Sequence, residues 1–356
     1  YSNRGISLFD LSAFDEASLS YQKALILRPN YPQALNNLGN SLRLEERMSL
    51  AAQCFKRALI IDPSYAEGHN NDGIVEYECS NYAASIIAYR LAITLRPEYA
   101  EAYNNLGISQ YTLGNNKEAE CTLLRALVLK PDYPEALSNL GASLRSQGRF
   151  REAHEAYRHA IHLNENYAEA HWNDALLHLL EGNYEDGWQG YEWRFRNSHL
   201  KQQRSPSNKK VWRGEKPLGG ETILLYSEQG YGDTLQFYRY AQKLSQEGAK
   251  VVLEVHPELV DILASQSGAI TVFARGSNVP DHDWVASLMS MPLAFNTTLE
   301  SIPSAAPYLQ PDPRVLPRWE AILGPKNRIR IGLVSSGNPK HEEDHLRSMG
   351  WHNFLP

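Results

Sequence analysis

"PNYPQALNNLG" (Pro29–Gly39), "PSYAEGHNNDG" (Pro63–Gly73), "PEYAEAYNNLG" (Pro97–Gly107) and "PDYPEALSNLG" (Pro131–Gly141) are one phrase written four times at a spacing of 34 residues. A fifth copy, "ENYAEAHWNDA" (Glu165–Ala175), has lost the Pro and the Gly, and "YSNRG" (Tyr1–Gly5) is the tail of an earlier one. Small residues recur in the second half of the unit at Ala17, Ala51, Ser85, Ala119 and Ala153. Four positions further on come Tyr21, Phe55, Tyr89, Leu123 and Tyr157, and then Ala24, Ala58, Ala92, Ala126 and Ala160. Self-similarity at a fixed period of this length marks an array in which each unit buries its face on its neighbours.

The order Gly, Ala, aromatic, Ala, Pro at a 34-residue period resembles the tetratricopeptide repeat, carried by six copies over residues 1–200. The resemblance implies two antiparallel helices per unit. Gly and Ala then permit close helix approach, the aromatic fills the hole in the next pair, and Pro ends the second helix. One further column holds Asn3, Asn37, Asn71, Asn105, Asn139 and Asn173, each two residues before the Gly position. Asn37 lies roughly 200° around its helix from Leu35, away from that apolar contact. Two readings of the column stand together: an amide ladder that grips an extended peptide backbone, or bonds to the adjoining repeat. The repeat region of O-linked N-acetylglucosamine transferase carries a similar array that holds acceptor polypeptide. The residues before each Asn (Ser2, Asn36, Asn70, Asn104, Ser138, Trp172) include no Lys or Arg to clamp a terminal carboxylate.

The bulk properties bound the rest. The chain has 356 residues, 42% apolar and 21% charged, with a net charge of -6, so no general electrostatic attraction to nucleic acid or anionic membrane is expected. Cys54, Cys79 and Cys121 stand far apart without metal-ligand spacing. A structural metal and a disulfide framework are not expected, and a reducing, cytoplasmic setting fits. No apolar run suits a bilayer span. Because Tyr1 falls inside a repeat, both ends are expected to be cut from something longer, which leaves open a lost targeting sequence.

"NYEDGWQGYEWRF" (Asn183–Phe195) continues the repeat register with added aromatics. Trp188 and Trp193 read either as a sugar-stacking platform or as the cap closing the solenoid. Residues 201–218 are basic and rich in polar residues, Pro and Gly, and read as a linker, although Lys201, Arg204, Lys209, Lys210 and Arg213 also suit phosphate. From residue 219 the pattern alternates. "TILLYS" (Thr222–Ser227), "KVVLEVH" (Lys250–His256), "AITVFA" (Ala269–Ala274) and "DWVASLM" (Asp283–Met289) are expected strands, with helical spacing near 233–247 and 257–266. A late strand is expected at "RIRIGLVSS" (Arg328–Ser336). Such alternation implies a parallel sheet with ligands beyond the carboxyl ends of its strands.

"YSEQGYGDTLQFYRY" (Tyr226–Tyr240) lies at one such end. A dinucleotide fingerprint would place a third glycine where Leu235 stands, and Asp233 would oppose a pyrophosphate, although Glu254 sits where a ribose-binding acid would be. Asp233 then reads either as a helix cap or as a base aimed into a cleft. "GETILLYSEQGYGDTLQFYRY" with "GLVSSGNPKHEEDHLRS" looks like bacterial proteins in which tetratricopeptide repeats precede a GT-B glycosyltransferase domain similar to the heptosyltransferases of glycosyltransferase family 9. That resemblance implies a Rossmann-like acceptor lobe at 219–326 and the truncated start of a second lobe at 327–356. It implies metal-independent, inverting transfer from a nucleotide sugar, with no resident cofactor. Asp233 would be the base, Gln229, Gly230 and Gly232 would shape the acceptor pocket, and Gly337, Asn338, His341 and Arg347 would face donor phosphate. Ser335 and Glu343 depart from the family pattern, which has Trp and Asn there. With so little chain after Arg328, the fragment alone is expected to be inactive. The alternative is a non-catalytic scaffold whose repeats bind protein beside a degenerate α/β lobe.

Overall fold

The computed structural model describes residues 1–197, 205–266, 269–304 and 306–325 together with 327, 329, 348 and 349. It divides into two compact units, Tyr1–Leu177 and His178–Pro356. The expected late strand at 328–336 lies outside the described residues apart from Ile329.

The first unit is a solenoid of helical hairpins. Its pairs are α1 (Ser2–Asp10) with α2 (Phe14–Leu27), α3 (Pro32–Leu44) with α4 (Met48–Ile61), and α5 (Ala66–Glu78) with α6 (Tyr82–Leu95). They continue as α7 (Ala100–Thr112) with α8 (Asn116–Leu129) and α9 (Pro134–Ser146) with α10 (Phe150–Leu163), and α11 (Ala168–Glu181) follows. Proline follows α2, α4, α6 and α8 as expected, whereas α10 ends at Asn164 without one. The residue before each proline (Arg28, Asp62, Arg96 or Lys130) has left the helical region, with φ between -134° and -138°, a conformation that suits a following proline and that Asn164 also takes without one.

The repeat glycines face the bulky column within their own hairpin. A Cβ on Gly39 would lie 2.6 Å from Phe55, on Gly73 2.7 Å from Tyr89, on Gly107 2.6 Å from Leu123 and on Gly141 2.5 Å from Tyr157. The large residue therefore fills the hole of its own pair before it reaches the next, which corrects the expectation above. Ala51, Ala58, Ala119, Ala126, Ala153 and Ala160 are fully buried around these contacts. Where the Ala column becomes Ser85, its hydroxyl meets Ser109 Oγ at 2.9 Å, so the buried polar atom keeps a partner.

The turn inside each hairpin carries a second 34-residue column. Ser12, Glu46, Ser80, Gly114, Gly148 and Gly182 all have φ between +59° and +84°. Only glycine adopts this left-handed region without a Cβ penalty.

The second unit holds α12 (Tyr184–Tyr191), a 3-10 turn (Glu192–Arg196) and a five-stranded, all-parallel sheet. The division thus falls before the boundary at 200 that the repeat register suggests, because side chains of 191–194 bond into the sheet unit, as detailed below. The strands are β1 (Lys210–Val211), β2 (Thr222–Tyr226), β3 (Lys250–Val255), β4 (Ile270–Ala274) and β5 (Trp284–Ser287), in spatial order β1-β5-β2-β3-β4. Helix α13 (Tyr231–Gln246) joins β2 to β3, and the short α14 (Val260–Ala264) lies between β3 and β4. Short α15 (Met291–Ala294) and exposed α16 (Leu316–Leu323) follow. Ile223, Leu224 and Leu225 are fully buried, as expected of a central strand covered on both faces.

Four strands lie where the β-branched runs place them. Strand β1 lies instead in the stretch read as linker. Lys210–Val211 pairs with Trp284–Val285, Trp212 is buried, and its Nε1–H donates to Lys216 O at 2.9 Å. A two-residue strand among Lys, Pro and Gly shows no alternation to detect. Among the described residues no helix is long and apolar enough to cross a membrane.

Candidate functional site

In the repeat unit the asparagine column forms a bonded lattice. Asn71 Nδ2 donates to Asn36 Oδ1 at 2.9 Å, Asn105 Nδ2 to Asn70 Oδ1 at 3.1 Å, and Asn139 Nδ2 to Asn104 Oδ1 at 2.9 Å. Asn173 Nδ2 reaches Ser138 Oγ at 3.4 Å, where Ser replaces the acceptor Asn. Within a repeat, Asn70 Nδ2 donates to Asn71 Oδ1 at 3.3 Å and Asn104 Nδ2 to Asn105 Oδ1 at 3.4 Å. Asn37, half-buried, and Asn3, exposed, make no such side-chain bond among the described residues. The structure therefore commits one amide proton of each of four column members to the adjoining repeat. What remains for a ligand is the second proton on each Nδ2 and the second lone pair on each Oδ1.

In the second unit, β2 is the middle strand, and its carboxyl end carries Ser227–Gly230 into α13. Asp233 Oδ2 accepts the Gly230 N–H at 3.2 Å, and Thr234 Oγ1 donates to Gly230 O at 3.0 Å. This is the capping geometry: a first-turn carboxylate satisfies a backbone donor at the positive end of the helix. Oδ1 of Asp233 makes no bond among the described residues. Gly230 has φ -68°, so its conformation does not demand glycine, and a Cβ on Gly232 would meet nothing within 4 Å. Gln229 does not point to open space; its Nε2 donates to Tyr191 Oη at 2.6 Å.

Behind this loop lies a polar cluster that motif reading missed. Arg194 and Glu228 are both fully buried as side chains and paired at 2.6 Å. The guanidinium also donates to Glu192 Oε1 at 2.6 Å, Ser290 Oγ at 2.8 Å and Tyr191 O at 3.2 Å. Its plane lies over the Tyr191 and Phe195 rings at 4.6 and 4.0 Å. Burial works against its charge, but Glu228 and Glu192 outweigh it and hold the Arg194 pKa above the usual value. Ser287 donates to Glu228 Oε1, whereas Oε2 is buried without a partner among the described residues. The one available signal was an Arg inside an aromatic run, "YEWRF", which has to be buried with an acid if the rings are core.

At the end of β3, Glu254 is buried and its pKa is raised by desolvation, opposed by Arg275 at 3.7 Å. Arg275 also donates to Ser227 O, so Glu254 is engaged within the sheet and does not stand open as a ribose acceptor. Trp188, one of the two candidate platforms, packs parallel to Tyr184 at 6.1 Å and edge-on to Phe237 at 6.4 Å. Trp193 lies under Arg196 at 4.4 Å. Gly337, Asn338, His341 and Arg347 lie outside the described residues.

Family models agree with the first unit. A TPR repeat model matches residues 5–44 and 73–114, and tetratricopeptide repeat models match 32–65, 100–133 and 134–167. Among solved structures, the chain is similar to PilW, a widely conserved type IV pilus biogenesis factor, at 21% identity and a TM-score of 0.51 over 55% of this chain and 91% of that one. It is similar to a chain of the APC/C hetero-tetramer Cut9-Hcn1 at 17% identity and a TM-score of 0.51 over 55% of this chain and 39% of that one. At such identities these likenesses speak for the fold. No curated protein matches the chain in sequence. The chain thus carries tetratricopeptide repeats, an architecture suited to protein–protein interaction.

Proposed function

We propose that the chain is the N-terminal portion of an inverting, metal-independent glycosyltransferase, in which the repeats bind a polypeptide partner or acceptor and the α/β unit is the acceptor lobe of a GT-B enzyme. The observation that carries this reading is Asp233: a carboxylate in the first turn of the helix that follows the middle strand, oriented through Oδ2 by a backbone N–H while Oδ1 stays uncommitted among the described residues. In the proposed reaction, Oδ1 takes the proton of an acceptor hydroxyl. The hydroxyl oxygen bonds to the anomeric carbon as the bond to the nucleoside diphosphate breaks, and that leaving group carries away the electron pair. Gly232, with open space beside it, permits close approach of the acceptor. The donor contacts assigned by resemblance to Gly337, Asn338, His341 and Arg347 belong to the same proposal.

The test is release of nucleoside diphosphate from a panel of nucleotide sugars by the complete natural protein and its Asp233→Asn variant. An Asn side chain still accepts the Gly230 N–H, so the cap survives while the base is lost. A fall of about 10²-fold or more is expected; turnover within a few-fold of the parent would remove Asp233 from the role.

The second reading is a scaffold with a non-catalytic α/β unit. It is favoured by the engagement of the two strand-end acids and the helix acid beside them: Glu228 with Arg194, Glu254 with Arg275, and Asp233 Oδ2 with its helix. Calorimetry with nucleotide sugars on the complete protein separates the two, since the scaffold predicts no heat of binding.

A further inference from the structure

The outward face of α13 lines two adjoining hollows that no part of the proposed reaction uses. The first, about 290 Å³, is walled by Tyr184, Trp188, Phe237, Tyr240, Ile302 and Pro303. Its rings are ordered: Tyr184 lies parallel to Trp188 and Phe237 parallel to Tyr240, with 19° between the planes of each pair, and Trp188 meets Phe237 at 89°. The second, about 430 Å³, shares Arg239 and Pro303 with the first and adds Gln242, Lys243, Glu247 and Tyr308. Gln236, Arg239, Tyr240 and Lys243 fall at i, i+3, i+4 and i+7, so one face of the helix supplies the floor of both.

The charges on this face say what it lacks. The Arg239 guanidinium donates through Nη1–H to Pro303 O at 2.9 Å, a neutral acceptor that leaves its charge unbalanced. Arg239 and Lys243 lie over the rings of Tyr308 and Phe295 at 4.4 and 4.3 Å, and neither has a carboxylate partner among the described residues. An aromatic slot beside two cations, which outnumber Glu247 as the one acid among the described residues lining the second hollow, is complementary to a ring followed by negative charge.

We infer that this face is a docking site for a short acidic peptide segment, whose aromatic or proline ring enters the Tyr184–Trp188–Phe237–Tyr240 slot and whose carboxylates meet Arg239 and Lys243. The helical rise places Lys243 about 10 Å beyond Gln236. An extended chain covers that in about three residues, so ring and acid stand about three positions apart. The site is independent of Asp233 and of the repeat groove.

The experiment titrates the protein into a fluorescein-labelled peptide, SWSGEDS, and reads anisotropy, with SASGEDS and SWSGKKS as controls. Saturable binding is expected for the first peptide, weaker by about tenfold or more for either control and in the Lys243→Glu and Trp188→Ala variants. Lys243→Glu changes the outer face of a helix and keeps the test valid should Trp188→Ala fail to fold. No saturation to about 1 mM, equal affinity for all three peptides, or affinity unmoved by Lys243→Glu would overturn the inference.

Discussion

At the scale of single residues, the hydrogen that serves Gly73 as a side chain sets how near α5 and α6 can come. Gly73→Ala places a methyl group 2.7 Å from the Tyr89 ring, and the ring is buried with no room to retreat. We expect a loss of about 1–3 kcal/mol in urea unfolding, as for other overpacked cores. Gly232→Ala is the contrast, since a Cβ there meets open space and a helix gains by the change. It should leave stability equal or slightly higher, and if both variants melt alike the steric account is wrong. Both columns were legible from their period, sixteen residues apart in every full unit, but their meeting within one hairpin was not, since the aromatic was expected to fill the next pair. The left-handed turn column was not, because Ser12, Glu46 and Ser80 stand where later units have glycine and share no chemistry with it. Ser80→Gly removes a Cβ penalty of roughly 1 kcal/mol and should raise the melting temperature; a lower one would refute the strain at φ 64°.

At the scale of elements, the amide lattice and the Arg194 cluster tie together segments that sequence spacing treats differently. Asn105→Ala strands Asn70 Oδ1 in a buried position and should cost about 1–3 kcal/mol. In a double-mutant cycle with Asn70→Ala, the pair should cost less than the sum by about 1 kcal/mol; strict additivity would argue against a bond between α5 and α7. The asparagine column was visible at once from its period, yet its direction was not, since a helix position two residues before Gly can address either a groove or a neighbour. Arg194 stands in the aromatic run after the repeats and Glu228 in the loop after β2, and nothing in either stretch names the other as its partner, so only the folded chain brings them together. Arg194→Leu should destabilise the second unit by about 3–5 kcal/mol, because it leaves Glu228 buried without its countercharge. An unfolding curve unchanged from the parent would show the pair to be dispensable. Strands β2 to β5 were read from their β-branched runs, and β1 was hidden by its length.

For the molecule as a whole, the repeated tyrosines make alkaline pH the discriminating condition. Burial pushes Tyr21 up to about 12, with Asp10 adding to it, and Tyr99 likewise to about 12, with Glu67 adding. Tyr89 and Tyr167 are raised further, again chiefly by burial. A phenol whose pKa is raised in the fold holds its proton where the unfolded chain, near 10, has lost it. The folded state then binds more protons as pH rises past 10, and stability falls through that window. The urea midpoint at about pH 11.5 should lie well below that at about pH 9; equal midpoints would mean that the tyrosines ionise in place. The left-handed turn column gives the solenoid a direction as well. Its first three hairpins close on Ser12, Glu46 and Ser80 and its later ones on Gly114, Gly148 and Gly182. Each early closure therefore works against its own backbone, and each later one does not. Amide exchange should be polarised accordingly, with α1 to α6 opening more often than α7 to α10, so that a partner meets a compliant leading end and a firm trailing one.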